Sequence, residues 1–300
     1  MGTPAFAVPS LEQIVTEGHE VMAVYTQPDR PKGRGQNHSA PPVKEAALRL
    51  ALPVHQPERV RHPEVAEQLL AMAPEAMVVV GYGQIIPRAI LDIPPNGIIN
   101  VHASLLPKYR GAAPVQWAIA RGESRTGVTT MRINEGLDTG DLLLQWETAI
   151  GPDENAVELS QRLALAGADL LVRTLAELPF IQPLPQDDAQ ATYAPILKRE
   201  DGKIHWQLSA PEILNRIRGF EPWPGGYGFL RDRRLQIWSA RAGELKLPPG
   251  RLHIQQRQIF VGCGNPESIE VLELQWEGKK RMSAATFLNG FPVTGDAELL

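Results

Sequence analysis

The chain has 300 residues, a single cysteine (Cys263) and a formal charge of −4, with 43% hydrophobic and 21% charged residues. One cysteine leaves no internal disulfide and no cysteine-built zinc site, and the composition is that of an ordinary globular protein. No apolar run reaches the length of a membrane-spanning helix and no basic-then-apolar leader opens the sequence, so the expected setting is the cytoplasm, without a membrane partner.

In chain order, a turn-like Gly2-Thr3-Pro4 leads almost at once into a helical stretch at 9–17. Residues 19–27, 75–82 and 97–102 are short, Val- and Ile-rich runs of the kind that form strands buried on both faces. Helix-period segments lie between them at 41–51 and 63–72. This alternation predicts an α/β fold, a mostly parallel Rossmann-like sheet with helices on both faces. Such sheets bind ligands at the carboxyl ends of their strands, here just after Tyr25, Val80 and Val101. The same logic wants a strand ahead of Gly2. The expectation is a natural protein that begins upstream of Met1, and a poorly stable form when it starts there.

A helix at 112–121, strands at 127–133 and 142–148 and a long helix at 154–178 follow. Residues 179–195 hold four prolines and no helical period, the texture of a linker. Beyond a short helix at 210–220, strand-like runs at 234–240, 258–262 and 269–276 suggest a small all-β barrel. The domains read as 1–180, a linker at 181–198, and 199–300. Residues 198–300 carry 15 Lys and Arg against 12 Asp and Glu, while the rest carry 15 against 22. A mildly basic end on an acidic body could meet a polyanion, although a plain solvated surface explains it too.

Asn100 and His102 stand two apart at the end of a predicted strand, so both face the same way. A core pair satisfied by backbone is the plainer explanation, but the irregular loop of Ser104, Leu105, Leu106 and Pro107 beside it suits a flat heterocycle. Asp138, in Gly136-Leu137-Asp138-Thr139-Gly140-Asp141, fits a hairpin turn whose Asp holds its own backbone. Taken together, Asn, His and Asp suit acyl transfer without a covalent intermediate. Donors meet a developing oxyanion and a carboxylate manages the amine's proton. No Ser or Cys has a convincing activating partner.

These two stretches, residues 100–119 and 127–144, resemble the signature of the 10-formyltetrahydrofolate-dependent formyltransferases. The resemblance implies a catalytic triad of Asn100, His102 and Asp138. It implies a formyl-folate site on Ser104, Leu105, Leu106 and Pro107, together with the strand-end segment Val80-Gly81-Tyr82. From end to end the chain is most similar to the branch of that family whose acceptor is initiator methionyl-tRNA. Residues 2–11, Thr26-Gln27-Pro28-Asp29-Arg30-Pro31 with Gly33-Arg34-Gly35, and Arg218-Gly219-Phe220 with Pro222-Trp223-Pro224-Gly225 carry this second likeness. It implies an OB-like barrel that contacts tRNA.

The loop at 28–42 is too long and polar for a routine βα turn. It is expected to be disordered in the free protein, and a plain surface loop accounts for it equally well. Gln36-Asn37 stands where the family commonly has lysine, so its charge rests on Arg30, Lys32 and Arg34, the expected tRNA contacts. The reading is therefore a monomeric translation-initiation enzyme using 10-formyltetrahydrofolate as co-substrate, with no metal and no NAD. A nucleotide-sugar N-formyltransferase and a catalytically impaired tRNA-binding relative are its rivals.

Overall fold

A computed structural model describes residues 1–32, 37–290 and 298–300. The chain divides into two compact units. One comprises Met1–Gly111, Thr126–Thr148 and Ser160–Tyr193; the other comprises Ala112–Arg125, Ala149–Leu159 and Ala194–Leu300.

Helices of the first unit are α1 (Val8–Thr16), α2 (Pro42–Arg49), α3 (Pro63–Met72) and α4 (Arg88–Leu91). α1, α2 and α3 each carry proline in the first turn, where its fixed φ is helical and its missing N–H has no intrahelical partner to lose. Strands are β1 (Val24–Tyr25), β2 (Arg30–Lys32), β3 (Asn37–Ser39), β4 (Val54–His55), β5 (Met77–Val79), β6 (Ile98–His102), β7 (Arg110–Gly111), β8 (Arg125–Arg132) and β9 (Leu142–Ala149). β1 pairs with β4 and β5 with β6 in parallel, β8 runs antiparallel to β6, and β9 lies outside β8. The expected mostly parallel α/β sheet is present, with an antiparallel edge. Residues 30–32 and 37–39, expected to be disordered, form an antiparallel ladder.

The core on one face gathers Tyr25, Leu69, Val79, Tyr82, Ile90 and Ile98. The long helix α6 (Ala156–Glu177) approaches the sheet at Gly167, where a methyl group would come within 3.0 Å of Val101 and 3.3 Å of Val128. Gly167 is what lets α6 sit that close.

Of the expected strand at 19–27, only Val24 and Tyr25 pair. Met1 and Gly2 lie between β1 and β5. The Gly2 N–H donates to Tyr25 O at 3.0 Å, Val80 N–H donates to Met1 O at 2.9 Å, and the Met1 amine donates to Val78 O at 2.6 Å. A cavity of about 610 Å³ adjoins them, lined among others by Leu11, Ile14, Val21, Ala23, Leu69 and Val78. Burial of the amine pushes its pKa down from 8.0 to about 5.

In the second unit, α5 (Pro114–Ala120) packs on α7 (Ala210–Gly219), and a Cβ at Gly219 would stand 2.8 Å from the Ala120 nitrogen. Arg218, from the motif that entered the sequence comparison, donates to Gly151 O and Glu154 O at 3.0 and 2.8 Å. After β10 (Tyr193–Ala194) come β11 (Gly226–Leu230), β12 (Arg233–Gly243), β13 (Leu252–Gln255), β14 (Gln258–Cys263), β15 (Glu267–Trp276), β16 (Met282–Ser283) and α8 (Ala284–Gly290). They make an antiparallel sheet in the order β11-β12-β15-β14-β13, with β16 on β15. The register of β12 slips at Ser239, a bulge that bends this eleven-residue strand. Its core includes Trp206, Ile213, Ile237, Val261, Cys263, Val271 and Phe287.

Candidate active site

β6 is buried along its whole length, and a strand covered on both faces normally carries only apolar side chains. Asn100 and His102 break that pattern at its carboxyl end. Asn100 pairs in register with Val79 of β5 and Met131 of β8, and His102 with Thr129. Both point to one face, as the two-residue spacing requires.

The imidazole is oriented by its partners. His102 Nε2 lies 2.9 Å from the carbonyl oxygen of Tyr109. A carbonyl only accepts, so Nε2 carries the hydrogen and Nδ1 is turned toward Asp138. The Asp138 Oδ2 stands 3.7 Å from Nδ1, beyond a direct hydrogen bond but close enough for a water or a small adjustment to join them. The His102 side chain is 7% exposed and that of Asp138 16%, so the pair meets solvent on the aspartate side.

Asp138 is placed by its turn. Its φ is +53°, a left-handed conformation that Asp tolerates better than most residues. Asn134 Oδ1 accepts from Gly136 N–H at 3.0 Å and from Thr139 Oγ1 at 2.9 Å, which closes the loop locally. A side chain on Gly140 would collide with the Arg132 carbonyl. The carboxylate does not serve its own turn. Oδ2 accepts the Gly111 N–H at 2.8 Å, a bond across 27 residues, and the hairpin explanation of Asp138 gives way to a carboxylate aimed at His102.

The loop after His102 is held from below. Thr129 Oγ1 donates to Ser104 O at 2.7 Å and accepts from Leu106 N–H at 3.1 Å and Gln145 Nε2 at 3.0 Å. Its one hydrogen and both lone pairs are thereby used. Gln145 Nε2 also donates to Leu106 O at 2.8 Å, and Ser104 Oγ to Lys108 O at 2.6 Å. Leu106 is buried, Leu105 and Pro107 are half-buried, and the Leu106-Pro107 peptide is cis.

The strand-end segment divides. Val80 is buried and Gly81 exposed, while the Tyr82 ring packs into the apolar core and offers a ligand only its backbone. The Tyr82 carbonyl accepts from Thr3 Oγ1 and Gln27 Nε2, both at 3.1 Å. Burial, with Tyr25 adding to it, pushes the Tyr82 hydroxyl up to about 12, well outside acid–base work at neutral pH. The cavity beside Met1 includes none of Asn100, His102 and Asp138.

Arg30 is exposed on β2 and donates to Gln27 Oε1 at 3.3 Å. Lys32 ends the same strand, and Arg34 lies outside the described residues. Asp29 anchors the base of this ladder through Lys44 at 2.7 Å and Gln56 at 2.7 Å. Among the described residues no group of His, Cys, Asp and Glu is arranged to hold a metal, and no helix is long and apolar enough to cross a membrane.

Sequence reasoning missed Thr129, Gln145 and Gln186. Their partners lie 16 to 76 positions away, and no local pattern marks them.

The family model described as formyl transferase matches residues 1–175, and that of its C-terminal domain matches residues 196–292. The chain belongs to the formyl transferase family, and within it to the methionyl-tRNA formyltransferases. It is 57% identical to the methionyl-tRNA formyltransferase of Solibacter usitatus over 303 residues, covering 100% of this chain and 97% of the relative. With that of Koribacter versatilis the identity is 57% over 293 residues, covering 97% and 94%. Among solved structures, a sugar 3N-formyl transferase, WlaRD, superimposes with a TM-score of 0.68 at 19% identity, covering 93% of this chain and 97% of its own. The N-formyltransferase of Helicobacter canadensis gives the same TM-score and identity, covering 90% and 96%. At that distance the likeness is one of fold.

Proposed function

We propose that this chain transfers the formyl group of 10-formyltetrahydrofolate to the α-amino group of initiator methionyl-tRNA, with Asn100, His102 and Asp138 as its catalytic residues. The observation that carries the reading is the Asp138 carboxylate, fixed by the Gly111 N–H and turned on His102 at the end of the strand that also presents Asn100. Close relatives with this name, aligned over nearly the whole chain, support the choice of acceptor.

The amine nitrogen bonds to the formyl carbon, and the carbonyl oxygen takes negative charge. The Asn100 carboxamide donates to that oxyanion, and the His102 imidazole does so through Nδ1 when protonated, its Nε2 hydrogen being held by the Tyr109 carbonyl. The amine sheds a proton toward Asp138, directly or through one water. The bond from the formyl carbon to the folate nitrogen then breaks and that nitrogen is reprotonated, which leaves formylmethionyl-tRNA and tetrahydrofolate.

Ser104, Leu105, Leu106 and Pro107, with Val80, Gly81 and the Tyr82 backbone, hold the pterin end of the folate. Arg30, Lys32 and Arg34 meet the tRNA. Residues 1–180 act as the catalytic domain, 181–198 as linker and 199–300 as a tRNA-contacting domain in a monomeric cytoplasmic enzyme. The test is purified chain with labelled formyl folate and charged initiator tRNA, beside an amino-sugar nucleotide as competing acceptor. Label in the tRNA alone supports the reading; label in the sugar nucleotide, or none in either, overturns it.

A further inference from the structure

Gln186 lies in the proline-rich stretch that reads as a linker, yet its carboxamide has no unused capacity. Its Oε1 accepts from Arg110 Nε at 3.0 Å and Nη2 at 2.8 Å. Its Nε2 donates to the Asp138 carbonyl at 2.9 Å and the Gly140 carbonyl at 2.7 Å. A guanidinium only donates and a carbonyl only accepts, so the amide has one orientation that fits.

The two groups it joins are both placed at the site. Arg110, its side chain 2% exposed, follows Tyr109, whose carbonyl fixes the His102 tautomer. Gly111, the next residue, holds the Asp138 carboxylate. The segment around Gln186 adds further ties, since Thr192 Oγ1 accepts from Tyr109 N–H and Thr192 O from Arg110 N–H, both at 2.8 Å.

We propose that Gln186 is a positioning residue for the formyl-transfer site, tying the backbone of the Asp138 turn to Arg110 and so setting the Asp138 carboxylate against His102. It touches neither substrate nor reacting atom. It acts on the backbone of a residue held at positive φ. An error of about 1 Å in such a group is enough to cost on the order of 10²-fold in rate. The proposal rests on the catalytic roles given above to His102 and Asp138.

Two variants test it. Gln186→Glu keeps shape and the acceptor for Arg110 but turns an oxygen on two carbonyl oxygens. Gln186→Met keeps approximate shape and removes the hydrogen bonds to Arg110, Asp138 and Gly140. Both are expected to lower kcat by about 10- to 100-fold, with KM for the folate and the tRNA within about twofold and a displaced pH profile of kcat. A second readout needs no turnover. NMR of ¹³C-labelled histidine in the free protein, with the His102 signal assigned by its loss in His102→Ala, should show a displaced titration of that residue alone in both variants. If wild type fails to formylate tRNA, the functional reading fails and the NMR shift still judges the role of Gln186. An undisplaced His102 titration with normal kcat in both variants overturns the proposal, as does a loss that falls on KM.

Discussion

The Gly111 peptide N–H and the Asp138 carboxylate meet at 2.8 Å, and the same carboxylate oxygen faces His102 Nδ1 at 3.7 Å. A side chain in a tight turn is thereby made to serve a histidine on a buried strand. Asp138→Ala removes the proton acceptor and should lower kcat about 10²–10⁴-fold. His102→Ala removes an oxyanion donor and should cost about 10²–10³-fold. Each change also removes the partner of one backbone group, the Tyr109 carbonyl or the Gly111 N–H, at a cost of about 1–3 kcal/mol, too little to unfold the protein at assay temperature. Steady-state kinetics with thermal unfolding decide it, and a variant with near-full kcat refutes its assigned role.

Thr129 supports the loop at 104–107 through one hydroxyl and three hydrogen bonds. Thr129→Val keeps the shape but strands the buried Leu106 N–H, at a cost of about 1–3 kcal/mol in stability. Because Leu106 belongs to the proposed pterin site, KM for formyl folate should rise more than KM for tRNA. Chemical denaturation and the two KM values check this. An unchanged folate KM would detach the loop from the folate.

Much of this arrangement was legible in the sequence, for reasons that individual elements make plain. α3 starts and stops where its proline and its apolar period place it, and β6 announces itself as a Val- and Ile-rich run ending in two polar residues. Tyr82 was harder. A residue at a strand end looks available to ligands, but the turn at Gly81, with φ +57°, sends the next ring into the core. β11 escaped notice because Gly226 and Gly228 mask its strand character, although a Cβ at Gly226 would stand 2.8 Å from Ile217 Cγ1. Gln186 left no local trace, since its meaning lies in four partners supplied by Arg110, Asp138 and Gly140.

The exposed Arg30 offers a test of the acceptor site away from the chemistry. Losing a phosphate contact weakens binding without touching proton transfer. Arg30→Ala, and the same change at Arg34, should raise KM for the charged tRNA severalfold and leave KM for the folate alone. Added salt should weaken wild-type binding more steeply than that of the variants, which release fewer counterions. Equal effects on both substrates would move this ladder off the tRNA.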